Sequence, residues 1–201
     1  MEFSQREIND LLISWIVLSG AFALFGRGGI PGLLRRTWDP AQIPIYIVQM
    51  LVIVGSAFVL HELSHKYVAQ KYGTWAEYQK WDWGLLMGLF ISATGFFIFA
   101  TPGAVMIKSG GWLTPEIEFK ITIAGPATNI AVGLFALLIR AAGYFPNFFL
   151  FLAMINLFLA VFNLLPIPPM DGLKVLRYNG ALWTVTFGLS VVLLIVTYLR
   201  I

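Results

Sequence analysis

Residues 61–65 read His61-Glu62-Leu63-Ser64-His65, a pattern whose spacing suits a metal ion. Residues four apart share one face of a helix, so both imidazoles can reach a single cation. Glu62 sits beside the first of them, where its carboxylate can take a proton from a water activated by that cation. These are the only two histidines in the chain. They follow an uninterrupted apolar run, where ionisable groups are costly and usually mark function. A merely interfacial polar cluster at a helix end would leave the ligand spacing to chance. Haem is a poor fit, because two ligands on one helix face cannot lie on opposite sides of a macrocycle.

A catalytic zinc usually takes three protein ligands and leaves one position to water. With no third histidine and no cysteine, the third ligand must be a carboxylate. Asp39, Glu77, Asp82, Glu116, Glu118 and Asp171 are the candidates. Of these, Asp171 alone closes a long apolar run, just after Pro166, Pro168 and Pro169. Prolines remove backbone donors, and open backbone at membrane depth is tolerated only when buried in protein or lining a cavity. The plainer alternative is an ordinary Asp171-Gly172 turn.

The elements that must carry these residues are apolar. Of 201 residues, 59% are hydrophobic and 11% charged, and the mean hydropathy is +0.81. A soluble domain is nearer about half apolar and about a quarter charged. The composition therefore predicts an all-α integral membrane protein, a single domain over residues 1–201 built as a polytopic bundle of five to six transmembrane helices. Spans of about 20 residues are needed. They are expected at Leu11–Phe25 (extendable to Ile8), from Ile43 through His65, at Ile121–Leu138, at Phe148–Leu165 and at Ala181–Leu199. Lys66–Asp82, rich in Lys, Tyr and Trp, reads as interfacial. The absence of cysteine excludes disulfides, iron–sulfur clusters and thiolate zinc sites. A scattered net charge of +3 with no basic stripe argues against a nucleic-acid partner. Glu2, Arg6, Glu7 and Asp10 at the start argue against a removable signal peptide.

Leu85–Ile107 is apolar but irregular, and parity decides how it runs. For Asp171 to meet the histidines, the end of the second span and the end of the fifth must face the same side of the membrane. A full crossing at Leu85–Ile107 would separate them. A re-entrant apolar hairpin between the HExxH helix and the GPxxN helix would bring them together. Its turn is expected at Thr101-Pro102-Gly103, between Phe96–Ala100 and Ala104–Ile107.

Three motifs in this order resemble the site-2 protease family of intramembrane zinc metalloproteases. They are His61-Glu62-Leu63-Ser64-His65, Gly125-Pro126-Ala127-Thr128-Asn129, and Asn163-Leu164-Leu165-Pro166 leading to Met170-Asp171-Gly172. Met170 replaces the family's usual Leu before Asp-Gly, a mild change in volume. The resemblance implies a catalytic core at about residues 43–175. It implies one Zn2+ per chain held by His61, His65 and Asp171, with Glu62 as general base and acid. Asn163 would steady the oxyanion or position substrate. An interhelical hydrogen bond is the plain alternative for Asn163. The family's hairpin is described as offering a strand edge to an unwound substrate, which would make Pro102 and Gly103 substrate-contacting residues. Asn129 is a further candidate for substrate contact, or for a bond across helices. The implied substrate is a membrane protein with a transmembrane segment, and the lipid bilayer is the surrounding partner.

With the hairpin re-entrant, Arg6, Lys66, Lys71, Lys80, Lys108, Lys120, Lys174 and Arg177 share one side. Arg27, Arg35, Arg36, Arg140 and Arg200 share the other. The positive-inside rule then makes the first side cytoplasmic. A multi-pass protein of the cell membrane with an active site reached from the cytoplasm is expected. The rival function is a zinc-binding membrane carrier or sensor without hydrolysis. Glu62 separates the two, since a pure binding site has no use for an unligated carboxylate beside its metal.

Overall fold

A computed structural model describes residues 1–35, 39–97, 101–109 and 113–199. Arg36, Arg200 and the Ile98–Ala100 part of the expected hairpin lie outside the described residues. The chain divides into two compact units. One comprises Glu2–Gly55 and Glu77–Met106; the other comprises Ser56–Ala76 and Ile107–Ile201 together with Met1. Among the described residues five helices are long and apolar enough to cross a membrane.

In the first unit, α1 (Gln5–Gly26) starts where the Ser4 hydroxyl accepts the N–H of Glu7, a side-chain N-cap. Its 22 residues extend about 33 Å, enough for a bilayer core. The short α2 (Gly29–Leu34) follows, then α3 (Ile43–Val54). The indole of Trp15 on α1 donates to the Leu51 carbonyl on α3 at 2.8 Å. α5 (Asp82–Thr94) ends at Gly95 in the left-handed conformation, the usual helix-terminating geometry. A Cβ on Gly95 would lie 2.3 Å from the Gly28 carbonyl oxygen, so only glycine permits this approach to the turn before α2.

The structure has two strands, of which the one at Trp75–Lys80 was not expected while the other covers Ala104–Ile107, an arm of the expected hairpin. β1 (Trp75–Lys80) and β2 (Gly103–Lys108) pair in a two-stranded sheet. The pairing is antiparallel: Gly103 faces Gln79 and Lys80, while the Lys108 ammonium lies over the Trp75 ring. The polar segment Lys66–Asp82 is built of regular elements. Its first residues continue a helix to Lys71, and Trp75–Lys80 is a strand whose alternate residues Ala76 and Tyr78 are buried. The expected turn at Thr101-Pro102-Gly103 runs into β2 at Gly103. The Pro102 carbonyl accepts the N–H of Trp81 at 2.8 Å, so this tripeptide is where the chain rejoins the sheet it left at Lys80. Between those points runs α5, about 20 Å long and too short to cross the core alone.

The outer edge of β1 is occupied by α1. Trp81 donates toward β2, so by alternation the N–H groups of Tyr78 and Lys80 point the other way. Glu7 Oε1 accepts the first at 2.9 Å and Asp10 Oδ2 the second at 3.3 Å. Ser14, a further turn along the same helix face, accepts the Tyr78 hydroxyl at 3.0 Å. Glu7 and Asp10 are thus buried structural acceptors.

In the second unit, α4 (Leu60–Lys71) follows a π-helical turn at Gly55–Val59. α6 (Pro115–Ala141) begins earlier than its apolar run suggested, because Thr114 caps it and Pro115 sits in its first turn. α7 (Pro146–Asn163) packs on α6, and α8 (Asp171–Tyr178) packs on α6 and on α9 (Gly180–Tyr198). The turn between α7 and α8 contains a cis Pro168–Pro169 bond. Its first carbonyl, that of Leu164, accepts the Trp183 indole of α9 at 2.8 Å.

Candidate metal centre

Helix α4 sets His61 and His65 one turn apart, as its 3.6-residue period requires. Their Nε2 atoms lie 3.0 Å from each other. Asp171, the first residue of α8, brings its Oδ2 to 3.4 Å from His61 Nε2 and 3.2 Å from His65 Nε2. Among the described residues these three form a group of potential metal ligands, with one donor atom each and all within 4.8 Å. Both histidines are buried and Asp171 is nearly so.

The hydrogen bonds behind the rings decide what the front of the site can accept. His65 Nδ1 lies 2.7 Å from the Ile121 carbonyl, which can only accept, so Nδ1 carries the proton. His61 Nδ1 lies 2.6 Å from Asn129 Oδ1 and is protonated for the same reason. In each neutral imidazole the lone pair is therefore on Nε2. Two lone pairs and a carboxylate converge within hydrogen-bonding distance and no donor separates them. A cation resolves that arrangement, and a two-nitrogen, one-oxygen donor set suits zinc with one position left open.

The Gly125-Pro126 pair of α6 makes room for these rings. A Cβ at Gly125 would lie 2.4 Å from His65 Nε2 and 2.6 Å from His61 Nε2, inside the space a metal would use. Pro126 has no N–H for the Thr122 carbonyl, which loosens the helix ladder next to the Ile121 carbonyl that His65 uses.

The other expected residues fall in different places. Glu62 is half-buried on α4, next to His61. Asn163 ends α7 with its amide donating to the Leu159 carbonyl at 3.0 Å. Asn129 is fully buried and its amide is engaged by His61, Ala57 and Asn156, so it is committed behind the metal-facing atoms. Pro102 and Gly103 belong to the first unit, at the entry to β2. Of the other candidate carboxylates, Asp39 caps a short helical turn, Glu77 accepts from Ser4, Asp82 pairs with Lys80, Glu116 pairs with Lys120, and Glu118 lies 4.0 Å from Lys174. Sequence reasoning missed Asn156 and the Ile121 carbonyl. Neither lies at a spacing that signals chemistry.

The profile of Peptidase family M50 matches residues 139–187. A Methanocaldococcus jannaschii protein named for zinc metalloprotease activity, MJ0611, is 39% identical over 187 residues, covering 91% of this chain and 90% of that protein. The zinc metalloprotease MJ0392 of the same organism is 31% identical over 139 residues, covering 66% of this chain but 34% of its own length. YwhC of Bacillus subtilis, also named for a zinc metalloprotease, is 28% identical over 168 residues, 71% of this chain and 73% of that protein. No solved structure matches significantly. Kinship along nine-tenths of both chains, with apolar helices and a ready three-donor site, means that this chain belongs to peptidase family M50, the site-2 protease family of multi-pass membrane zinc metalloproteases.

Proposed function

We propose that this chain hydrolyses peptide bonds within transmembrane segments of membrane-protein substrates. The convergence of His61, His65 and Asp171 within 4.8 Å carries the reading. In this reading the three side chains hold one zinc ion. Bound zinc supplies a Lewis acid and lowers the pKa of its water to about 7. Glu62 takes the proton of the attacking water and returns it to the leaving amine. Asn163 offers its amide N–H where negative charge develops on the scissile carbonyl.

A helix must be opened before its backbone can be attacked. An extended substrate held along a strand edge meets that need, since main-chain bonds fix it independently of side-chain sequence. Pro102 and Gly103, leading into β2, would lie along that path. The excursion from Lys80 to Gly103 supports a re-entrant route, and the uneven distribution of Lys and Arg favours a cell-membrane protein with its site open to the cytoplasm.

The test is Glu62→Gln in purified full-length protein, assayed with a single-span substrate. Zinc content should stay near one per chain while cleavage falls by about 10²–10⁴-fold. Cleavage at the unsubstituted rate would refute the mechanism. A carrier or sensor would show zinc binding and no chelator-sensitive cleavage in either form.

A further inference from the structure

Two buried asparagines form a chain that ends at the metal-facing ring. Asn156, within α7, donates its amide to the Leu152 carbonyl at 2.9 Å and to Ser56 Oγ at 3.2 Å. A carbonyl can only accept, so the nitrogen of this amide is fixed and its Oδ1 must point the other way. That Oδ1 accepts Asn129 Nδ2 at 3.2 Å. Asn129 Nδ2 also donates to the Ala57 carbonyl at 2.8 Å. Ala57 lies in the π-helical turn before α4, where the regular helix ladder is interrupted and a carbonyl can take a side-chain donor. Two backbone carbonyls thus fix two amides, and Asn129 Oδ1 is left to face His61 Nδ1 at 2.6 Å. Both asparagines are fully buried.

We propose that Asn129, oriented by Asn156 and by the Ala57 carbonyl of the π turn, is a positioning residue. It holds the Nδ1 proton of His61 and so turns the Nε2 lone pair toward the metal. The proposal rests on His61 being a zinc ligand. It adds a role for the π turn, which supplies the carbonyl that stops the Asn129 amide from flipping. A flipped amide would set N–H against N–H at His61 and favour the wrong tautomer. Partners behind a metal-bound histidine typically change metal affinity by about 10–100-fold when removed.

The experiment measures zinc affinity of the full-length protein by competition with a chromogenic chelator, and the visible spectrum after cobalt(II) substitution. Asn129→Leu should weaken zinc binding by about 10–100-fold and alter the cobalt spectrum. Asn156→Leu should weaken it less, by several-fold, because Ala57 still anchors Asn129. Asn129→Asp should restore most of the affinity, since either protonation state keeps an acceptor for the His61 proton. Ser64→Ala is the control: Ser64 Oγ meets Thr128 Oγ1 at 2.7 Å between the same two helices but behind neither ring. It should leave affinity and spectrum unchanged. Folded Asn129→Leu with undiminished affinity would overturn the proposal, as would an equal loss in Ser64→Ala. Should the unsubstituted chain bind no zinc, the metalloprotease reading itself fails, which is a different result.

Discussion

Both units bury polar groups, but they balance them in opposite ways. In the first unit Glu7, Asp10 and Ser14 accept from the two outward N–H groups and the tyrosine hydroxyl of β1. Each of these contacts joins a donor to an acceptor. In the second unit Asn156, Asn129 and the Ile121 carbonyl satisfy the backs of two imidazoles and leave three acceptors facing one another. Burying an unmatched acceptor is costly unless something answers it. The matched set is architecture, while the unmatched set is a demand for a cation. Burial of polar side chains alone therefore does not mark a functional site; the imbalance among them does.

Asp171→Asn attacks the imbalance directly and should have the largest effect. The amide removes the charge that answers the ion, so zinc affinity should fall by over about 100-fold and cleavage with it. Thermal unfolding of the zinc-free protein should shift by about 1 kcal/mol or less. An Asp171→Asn protein that retains zinc would show the convergence to be structural. Gly125→Ala comes next. Its Cβ would press on both buried rings, 2.4 Å from His65 Nε2 and 2.6 Å from His61 Nε2, so it should weaken zinc binding about tenfold or more and cost about 1–3 kcal/mol of stability through overpacking. Chelator competition and unfolding curves moving together would sharpen the contrast between the units. The smallest effect belongs to the matched set. Tyr78→Phe removes the hydroxyl that meets Ser14, costing about 1 kcal/mol of stability, with zinc affinity unchanged. A changed affinity in that variant would break the comparison.

The sequence is most informative where chemistry is rigid. Helical period ties His61 to His65, and the shortage of other ligands points to Asp171. Long apolar runs mark the spanning helices, since a bilayer allows few other backbones. The sheet was hidden because Trp75–Lys80 mixes aromatic and charged residues as an interfacial segment does, and its edge is completed by acids some 70 positions earlier. Asn156 was hidden for the opposite reason, as one amide inside an apolar run with no motif around it. The Gly125-Pro126-Ala127-Thr128-Asn129 motif was visible but its use was not. Whether Asn129 meets substrate, another helix or a ligand's far side depends on where α4 and α7 lie, which spacing along α6 does not encode.

The occupation of β1 by α1 limits what can join the sheet. An exposed strand edge invites any extended chain, including a second copy of the same protein. On the β1 side the invitation is withdrawn by Glu7 and Asp10, which hold the outward N–H groups of Tyr78 and Lys80. An incoming strand therefore finds no free N–H at Tyr78 or Lys80, and growth of the sheet past β1 is blocked by a helix that presents side-chain acceptors where a neighbouring strand would present carbonyls.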